Sequence, residues 1–139
     1  MFKRYSLKIQ TSGRSTIEIT ADINNLVSRS GIMTGLCHVF IEHTSASLII
    51  TENADADVRR DLEYFISKLV IDGDPNYIHN QEGDDDMAAH IRSVLTSSET
   101  TIPVSNNVLS LGTWQGLFIW EHRTHAHDRR LTITISGEQ

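Results

Sequence analysis

The 139-residue sequence contains only one cysteine, two prolines and eight glycines. The lone cysteine, Cys37, cannot form an internal disulfide, and it excludes a zinc site built from several thiolates. So few prolines and glycines exclude a collagen-like or low-complexity chain. Basic side chains are also in the minority, since 12 Lys and Arg stand against 18 Asp and Glu. Because general nucleic-acid binding depends on neutralising phosphates, no nucleic-acid partner is expected.

Long hydrophobic runs are absent too, so neither a signal peptide nor a membrane-spanning helix is predicted. The sequence therefore predicts a cytoplasmic protein without a membrane partner. Its length suits one domain, residues 1–139, and falls short of the roughly 200 residues that an eightfold β/α barrel needs. Hydrophobic residues make up 39% of the chain, which is enough for a packed core.

Hydrophobic periodicity alternates between two and 3.6 residues, which is typical of mixed strands and helices. Strands are predicted at residues 2–9, 16–20, 36–44 and 48–51, and four more near residues 101, 108, 118 and 132. Three helices are predicted: one capped by Asp22 and ended by Gly31, one capped by Asp55, and one over 87–95. Strands interrupted by a few helices indicate an α+β fold with a largely antiparallel sheet system.

The sequence contains 7 histidines, and His43 precedes the hydroxyl-rich turn Thr44-Ser45-Ala46-Ser47. The hydroxyls and backbone N–H groups of that turn suit an anion or a ligand oxygen. The alternative is that His43 is a core or capping group, which is the commoner role for a histidine ending an apolar strand. No G-x-S-x-G elbow is present, which argues against a hydrolase serine.

Two further histidines, His79 and His90, flank the acidic run 82–86. Imidazoles from different elements near carboxylates are acceptable ligands for zinc or a similar divalent ion. Their spacing matches no short zinc signature, however. The alternative is that the aspartates stabilise the positive end of a helix dipole while His90 is merely packed.

The segment 121–130 is the basic exception in this acidic chain. Arg123, Arg129 and Arg130 suit a phosphate or carboxylate, because a guanidinium binds such groups through paired hydrogen bonds. Surface ion pairs, such as one between Glu121 and Arg123, are the alternative. Upstream, residues 112–116 form a glycine-bounded turn that either walls a pocket or packs as a hairpin tip.

Taken together, these fragments closely resemble the YjbQ family, described as secondary thiamine-phosphate synthase enzymes, over about residues 5–137. The fragments that carry the resemblance are Gly35-Leu36-Cys37-His38, His43-Thr44-Ser45-Ala46-Ser47, Glu52-Asn53-Ala54-Asp55, Glu82-Gly83-Asp84-Asp85-Asp86-Met87, Ala89-His90, Gly112-Thr113-Trp114-Gln115-Gly116, Glu121-His122-Arg123 and Arg129-Arg130. Ala56 and Ala88 stand where the family usually has proline, which relaxes two helix starts.

The resemblance implies a seven-stranded, β-sandwich-like α+β fold that assembles as a homotrimer with pockets near subunit interfaces. It also implies a weak side activity that joins a pyrimidine diphosphate to a thiazole phosphate. The site residues that it implies are catalytic His43, Glu121 and His125, ligand-binding Thr44, Ser45, Asn53, Gln115, Arg123 and Arg130, and the metal ligands His43, His79 and His90.

The leading hypothesis is a cytoplasmic trimeric enzyme whose pocket binds a divalent ion and a phosphorylated small molecule. The ion is zinc or another first-row metal, or magnesium carried with the substrate. A divalent ion and arginines suit the pyrophosphate leaving group of the implied reaction. Two alternatives stay open: a non-catalytic ligand-binding or assembly module, and a metal-dependent hydrolase of phosphate esters. The apolar run 48–50 is interpreted as surface that a neighbouring subunit covers.

Overall fold

Eight strands and three helices make up the fold, taken from a computed structural model that describes residues 1–139. In chain order the elements are β1 (Phe2–Gln10), β2 (Ser15–Glu18), α1 (Thr20–Ser30), β3 (Thr34–Ile41), β4 (Ala46–Glu52), α2 (Ala56–Leu69), α3 (Asp84–Leu95), β5 (Glu99–Ser105), β6 (Val108–Leu109), β7 (Gln115–Glu121) and β8 (Asp128–Glu138). The predicted α+β class is confirmed. The eighth strand, beyond the implied seven, is the two-residue β6, which pairs with the end of β5.

The strands form two antiparallel sheets, one with the order β1-β8-β3-β5-β6 and one with the order β2-β7-β4. Their inner faces meet in a single hydrophobic core, to which Val39 and Ile133 contribute from the larger sheet and Ile119 from the smaller. Cys37 lies in this core, and burial raises the pKa of its thiol to about 12, so it packs as an apolar residue. The predicted sandwich-like packing is therefore present.

The smaller sheet is covered on its outer face by α2 and α3. Ile49 and Trp120 pack there against Ile66 of α2 and Ala88 of α3. Leu48, one residue before Ile49, points the other way into the main core. Strand β4 is thus covered on both faces at Leu48 and Ile49, which explains part of its apolar run. Ile50, the last residue of that run, is 36% exposed.

Two of the three predicted helix boundaries have the expected chemistry. Gly31 ends α1 in the left-handed conformation, with φ 73°, and Asp55 caps α2 by accepting from the Asp57 N–H at 2.9 Å. The predicted cap Asp22 is wrong, because Ile19 holds the N-cap position of α1 without a side-chain hydrogen bond. Asp22 lies in the first helical turn, where its charge favours the positive end of the helix dipole.

The register of the smaller sheet determines which loops lie near one another. Ala46 of β4 pairs with Glu121 of β7 at one end, and Glu52 pairs with Gln115 at the other. The turn 42–45 and the loop 122–127 therefore meet at the first end, beside the start of α3. None of the three helices has the length and hydrophobicity needed to span a bilayer.

Candidate metal centre and ligand cleft

Three side chains, those of His79, Asp86 and His90, converge beside the start of α3. His79 Nε2 lies 2.8 Å from Asp86 Oδ2, and His90 Nε2 lies 3.4 Å from Asp86 Oδ1. Asp86 and His90 are four residues apart and share one face of α3, whereas His79 reaches in from the preceding loop. Two ligands that bind a tetrahedral zinc at about 2.0–2.1 Å stand about 3.3 Å apart. All three potential ligand atoms lie within 4.8 Å of one another, so small side-chain shifts would bring them to one first-row ion.

A backbone hydrogen bond fixes which nitrogen of His90 faces Asp86. His90 Nδ1 lies 3.0 Å from the carbonyl oxygen of Thr44. Since a carbonyl oxygen only accepts, Nδ1 carries the hydrogen, and Nε2 of the neutral ring presents its lone pair to the Asp86 carboxylate. Two electron-rich atoms facing each other need a cation between them, either a proton or a metal ion.

Arg123 holds the acidic first turn of α3 in place. Its Nε donates to Asp85 Oδ2 at 2.8 Å, its Nη1 to Asp86 Oδ1 at 3.0 Å and its Nη2 to the Glu82 carbonyl oxygen at 3.0 Å. Burial by itself would raise the pKa of Asp85. Hydrogen bonds from the Thr124 N–H and from Arg123 outweigh this effect and hold the pKa well below its usual range. Arg123 is thus committed to protein acceptors and orients Asp86, a correction to its predicted role as an anion ligand.

Glu121 is a buried structural carboxylate rather than the predicted catalytic one. Its Oε1 accepts from Thr11 Oγ1 and from Arg129 Nε, both at 2.7 Å. Its Oε2 accepts from the Arg123 N–H at 3.0 Å and from Arg129 Nη2. Burial by itself would raise the pKa of Glu121. These hydrogen bonds outweigh that effect and hold the pKa below its ordinary value. All acceptor positions are occupied, and Arg129 is the internal counter-charge rather than an anion ligand.

His43 lies outside the group of converging ligands, which corrects its predicted role as a metal ligand. Its Nε2 accepts from the Arg130 N–H at 2.7 Å, so that lone pair is already used. Burial lowers the pKa of His43, and the positive charge of Arg129 lowers it further. The neutral ring therefore carries its hydrogen on Nδ1. Asp86 takes the place that the sequence assigned to His43.

A cleft of about 430 Å³ opens next to His90. Its lining residues are His43, Thr44, His90, Ser93, Val94, Thr96 and Ser98. The Oγ of Ser93 is buried and has no hydrogen-bond partner within the chain. Thr44, a predicted ligand-binding residue, lines the cleft. Ser45 does not, because it is buried and its Oγ accepts from Arg129 Nη2 at 3.0 Å.

The predicted ligand residues Asn53 and Gln115 lie at the opposite end of the smaller sheet. Asn53 Nδ2 donates to Glu18 Oε2 at 3.0 Å, and Gln115 Oε1 accepts from the Gly112 N–H at 2.8 Å. Gln115 and Glu121 begin and end β7, which separates the two ends by about 20 Å. The two amides therefore support local turns and do not join the site.

The predicted catalytic residue His125 is exposed in the loop that follows β7. Its ring centre lies 4.8 Å from that of His127, and its side chain makes no hydrogen bond. Nothing in this arrangement positions His125 against the converging ligands. It remains a surface histidine.

Sequence reasoning missed Asp86 as a ligand and His122 as a buried histidine. The spacing D-x-x-x-H from Asp86 to His90 was the available signal, because it places both side chains on one helical face. His122 Nε2 lies 2.8 Å from Ser47 Oγ, and burial, aided by the charge of Arg92, lowers its pKa to about 3. No spacing distinguishes His122 from its exposed neighbours.

The chain is similar to known proteins over almost its whole length. Residues 5–138 match the family described as UPF0047 protein YjbQ-like. A UPF0047 protein of Synechocystis is 52% identical over 132 residues, which cover 95% of this chain and 90% of that protein. The UPF0047 protein YjbQ of Escherichia coli O157:H7 is 38% identical over 139 residues, which cover 99% of this chain and 100% of that protein. The chain belongs to the YjbQ family.

Solved structures of YjbQ-like proteins share this fold. A Sulfolobus solfataricus protein, described as YbjQ-like and of unknown function, gives a TM-score of 0.86 at 27% identity and covers 99% of this chain and 100% of its own. An uncharacterised protein of the YjbQ/UPF0047 family from Clostridium acetobutylicum gives a TM-score of 0.84 at 36% identity. The match covers 96% of this chain and 99% of that protein. The resemblance inferred from the sequence is thereby confirmed for the family and the fold.

Proposed function

We propose that this YjbQ-family chain is a divalent-metal-dependent enzyme that acts on a phosphorylated small molecule. The observation that carries the proposal is the convergence of His79, Asp86 and His90, whose potential ligand atoms all lie within 4.8 Å of one another. These three side chains would hold the ion. Two imidazoles and one carboxylate favour zinc or another first-row ion over magnesium, which prefers oxygen ligands. Three protein ligands leave one position open, as in catalytic zinc sites.

The cleft beside His90 is the proposed binding site for the rest of the ligand. Its volume of about 430 Å³ suits a small molecule, and Thr44 and Ser98 contribute polar side chains to its wall. Arg130 is exposed, and its backbone N–H is bonded to His43 in that wall. Unlike Arg123 and Arg129, it has no carboxylate partner. We therefore assign phosphate binding to Arg130.

Weak thiamine-phosphate synthase activity is the reaction that we propose for this site. The C–O bond between the pyrimidine methylene carbon and the diphosphate breaks, and pyrophosphate leaves with the electron pair. The neutral thiazole nitrogen then forms the new C–N bond. This nucleophile loses no proton, so the step needs no general base, which agrees with the buried, saturated Glu121 and the exposed His125. When bound, the ion supplies charge stabilisation to the leaving pyrophosphate, and Arg130 binds the same group.

A turnover assay tests the proposal. Purified chain supplied with zinc, manganese or magnesium is incubated with the pyrimidine diphosphate and the thiazole phosphate, and separately with a panel of phosphate esters. Ion-dependent product formation that is lost in Asp86→Asn and retained in His125→Gln supports the enzyme. Wild-type turnover in Asp86→Asn contradicts it.

The same assay separates the two alternatives. Release of pyrophosphate or phosphate without a thiazole acceptor identifies a metal-dependent hydrolase. Ion-dependent binding of the phosphorylated compounds without turnover identifies a non-catalytic module.

We also propose that the chain acts in the cytoplasm as a homotrimer. The outer face of the five-stranded sheet has no helix packed on it, and Leu36 and Phe40 are 50% and 38% exposed there. Burying such side chains against further copies of the chain is favourable, and closed cyclic symmetry limits the assembly.

A further inference from the structure

A second cleft, of about 480 Å³, lies between the smaller sheet and α2. Its lining residues are Arg14, Ser15, Thr16, Ala56, Arg59, Arg60, Glu63 and Trp120, and we call it the arginine cleft. It shares no lining residue with the candidate metal centre or with the cleft beside His90. Three of the lining residues are arginines and one is a glutamate, in a chain whose net charge is −6. An arginine that lacks an internal counter-charge attracts an anion.

Arg59 is the fixed cation of the arginine cleft. Its Nη1 donates to the Glu52 carbonyl oxygen at 3.0 Å, and its guanidinium carbon lies 4.7 Å from the centre of the Phe118 ring. These two contacts hold the guanidinium in one place, yet no carboxylate pairs with it. The N–H groups of Nε and Nη2 remain available. A guanidinium that is ordered but lacks a counter-charge is prepared to bind an anion from solution.

Arg14 and Arg60 differ in how firmly they are held. Arg14 donates from Nη1 and Nη2 to Asp72 at 2.6 Å each, and from Nε to the His122 carbonyl oxygen at 2.8 Å. Its position is therefore fixed and its charge is matched. Arg60 is exposed and has only Asp57, at 3.7 Å, as a partner, so its side chain can turn toward a ligand.

The carboxylate in the cleft wall does not oppose an anion. Glu63 Oε2 accepts from the buried Arg92 Nη1 at 2.7 Å, and its Oε1 accepts from Trp120 Nε1 at 3.1 Å. The Glu63 charge is thus matched by the buried Arg92. The charge of Arg59 has no such internal match.

We propose that the arginine cleft is a second, metal-independent anion site that binds a compact phosphate group: a phosphate monoester or pyrophosphate. The planar fork of Arg59 donates two hydrogen bonds to one phosphate group, and Arg60 and the Thr16 hydroxyl bind its remaining oxygens. The volume leaves room for a small organic substituent beside the phosphate.

A pyrophosphate titration of chelator-treated protein tests the second site. Binding is measured by calorimetry and located by NMR, from the Nε–H signals of arginine and the indole N–H signals of Trp120 and Trp114. We expect shifts at Arg59 and at Trp120, which lines the cleft, and none at Trp114. Arg59→Ala is expected to weaken binding by about tenfold or more, the loss typical of a charge-assisted hydrogen bond. Arg59→Lys, which retains the charge and not the fork, should give a smaller loss.

Arg29→Ala is the matched control, because Arg29 also lies over an aromatic ring, 5.5 Å from the centre of Tyr5, and lies outside the cleft. Its pyrophosphate affinity should equal that of wild type. No binding by wild type, or equal affinity in Arg59→Ala, Arg59→Lys and wild type, overturns the proposal. Shifts confined to the surroundings of His90 also overturn it. Because the protein is metal-free, Asp86→Asn should leave pyrophosphate binding intact. The proposal for the arginine cleft is therefore tested independently of the proposed metal site.

Discussion

At the scale of single residues, Asp86 connects the candidate metal centre to the protein around it. One oxygen accepts from Arg123 at 3.0 Å, and both oxygens face imidazole nitrogens of His79 and His90. A carboxylate has enough lone pairs to accept from a guanidinium and bind an ion at once. Asp86→Asn keeps the size of this side chain and removes its charge, so it tests the ion ligand and the contact with Arg123 together.

His122 should make the folded protein sensitive to acid. Burial, aided by Arg92, lowers its pKa to about 3, whereas a histidine in an unfolded chain titrates near 6.5. Between these values the unfolded state binds the extra proton. The contribution of the neutral His122 ring to stability is therefore complete above about pH 6.5. It decreases by about 1.4 kcal/mol per pH unit as the pH falls. We expect His122→Gln to flatten the pH dependence of the unfolding free energy, measured in urea on metal-free protein between about pH 7 and 5.

His125→Gln is the control for that measurement, because the His125 side chain is exposed and makes no hydrogen bond. Its slope should match that of wild type. If His122→Gln also keeps the wild-type slope, the account of the buried His122 is wrong.

Glu121→Gln should destabilise the fold rather than act on catalysis alone. The substitution leaves Arg129, which is 3% exposed, without a counter-charge in the interior. Removing one partner of a buried ion pair costs about 3–5 kcal/mol. Urea unfolding measures the loss, and Glu42→Gln, at an exposed carboxylate, should stay within about 0.5 kcal/mol of wild type. A Glu121→Gln protein with wild-type stability and no turnover would instead restore the catalytic role predicted from the sequence.

At the scale of elements, Arg123 joins the loop after β7 to the first turn of α3. A lysine cannot reach the two carboxylates and the carbonyl oxygen that the guanidinium bridges. We therefore expect Arg123→Lys to lower stability by about 1–3 kcal/mol, measured by thermal or urea unfolding. Arg130→Lys, at an exposed side chain without a carboxylate partner, should leave stability unchanged and weaken phosphate binding. The reverse pattern would show that Arg123 is the anion ligand.

Elements with a clear hydrophobic repeat could be predicted from the sequence. The apolar stripe of α2 and the cap at Asp55 are local properties, and so is the alternation of β8. The convergence of His79 and His90 was also predicted, because imidazoles near carboxylates are acceptable metal ligands, and both rings lie beside Asp86.

The remaining site assignments depend on contacts between distant parts of the chain. His43 is not a ligand because the Arg130 N–H, 87 positions away, occupies its Nε2. Glu121 is buried because Arg129 returns to it across the loop between β7 and β8. Gln115 does not reach the site because it lies at the opposite end of β7 from Glu121. No local pattern distinguishes an exposed charge from one that a later strand will bury.

At the scale of the whole molecule, the uncovered face of the five-stranded sheet predicts self-association. Light scattering of the purified chain at low micromolar concentration should give three times the chain mass of 15.6 kDa. Leu36→Glu should shift the mass toward the monomer, because it places a charge where apolar surface would be buried. Lys3→Glu, at an exposed position of β1, serves as the control for the change of charge. A monomer mass for wild type would contradict the proposed trimer.

Zinc binding tests the central claim, that His79, Asp86 and His90 form one metal site, most directly. Chelator-treated wild type, His43→Ala, Asp86→Asn and His90→Ala are titrated with zinc by calorimetry, and the bound metal is counted after dialysis. Wild type and His43→Ala should each bind one ion per chain at this site. Asp86→Asn and His90→Ala should lose at least about tenfold in affinity. Equal affinity in all four proteins, or a loss confined to His43→Ala, would contradict the account.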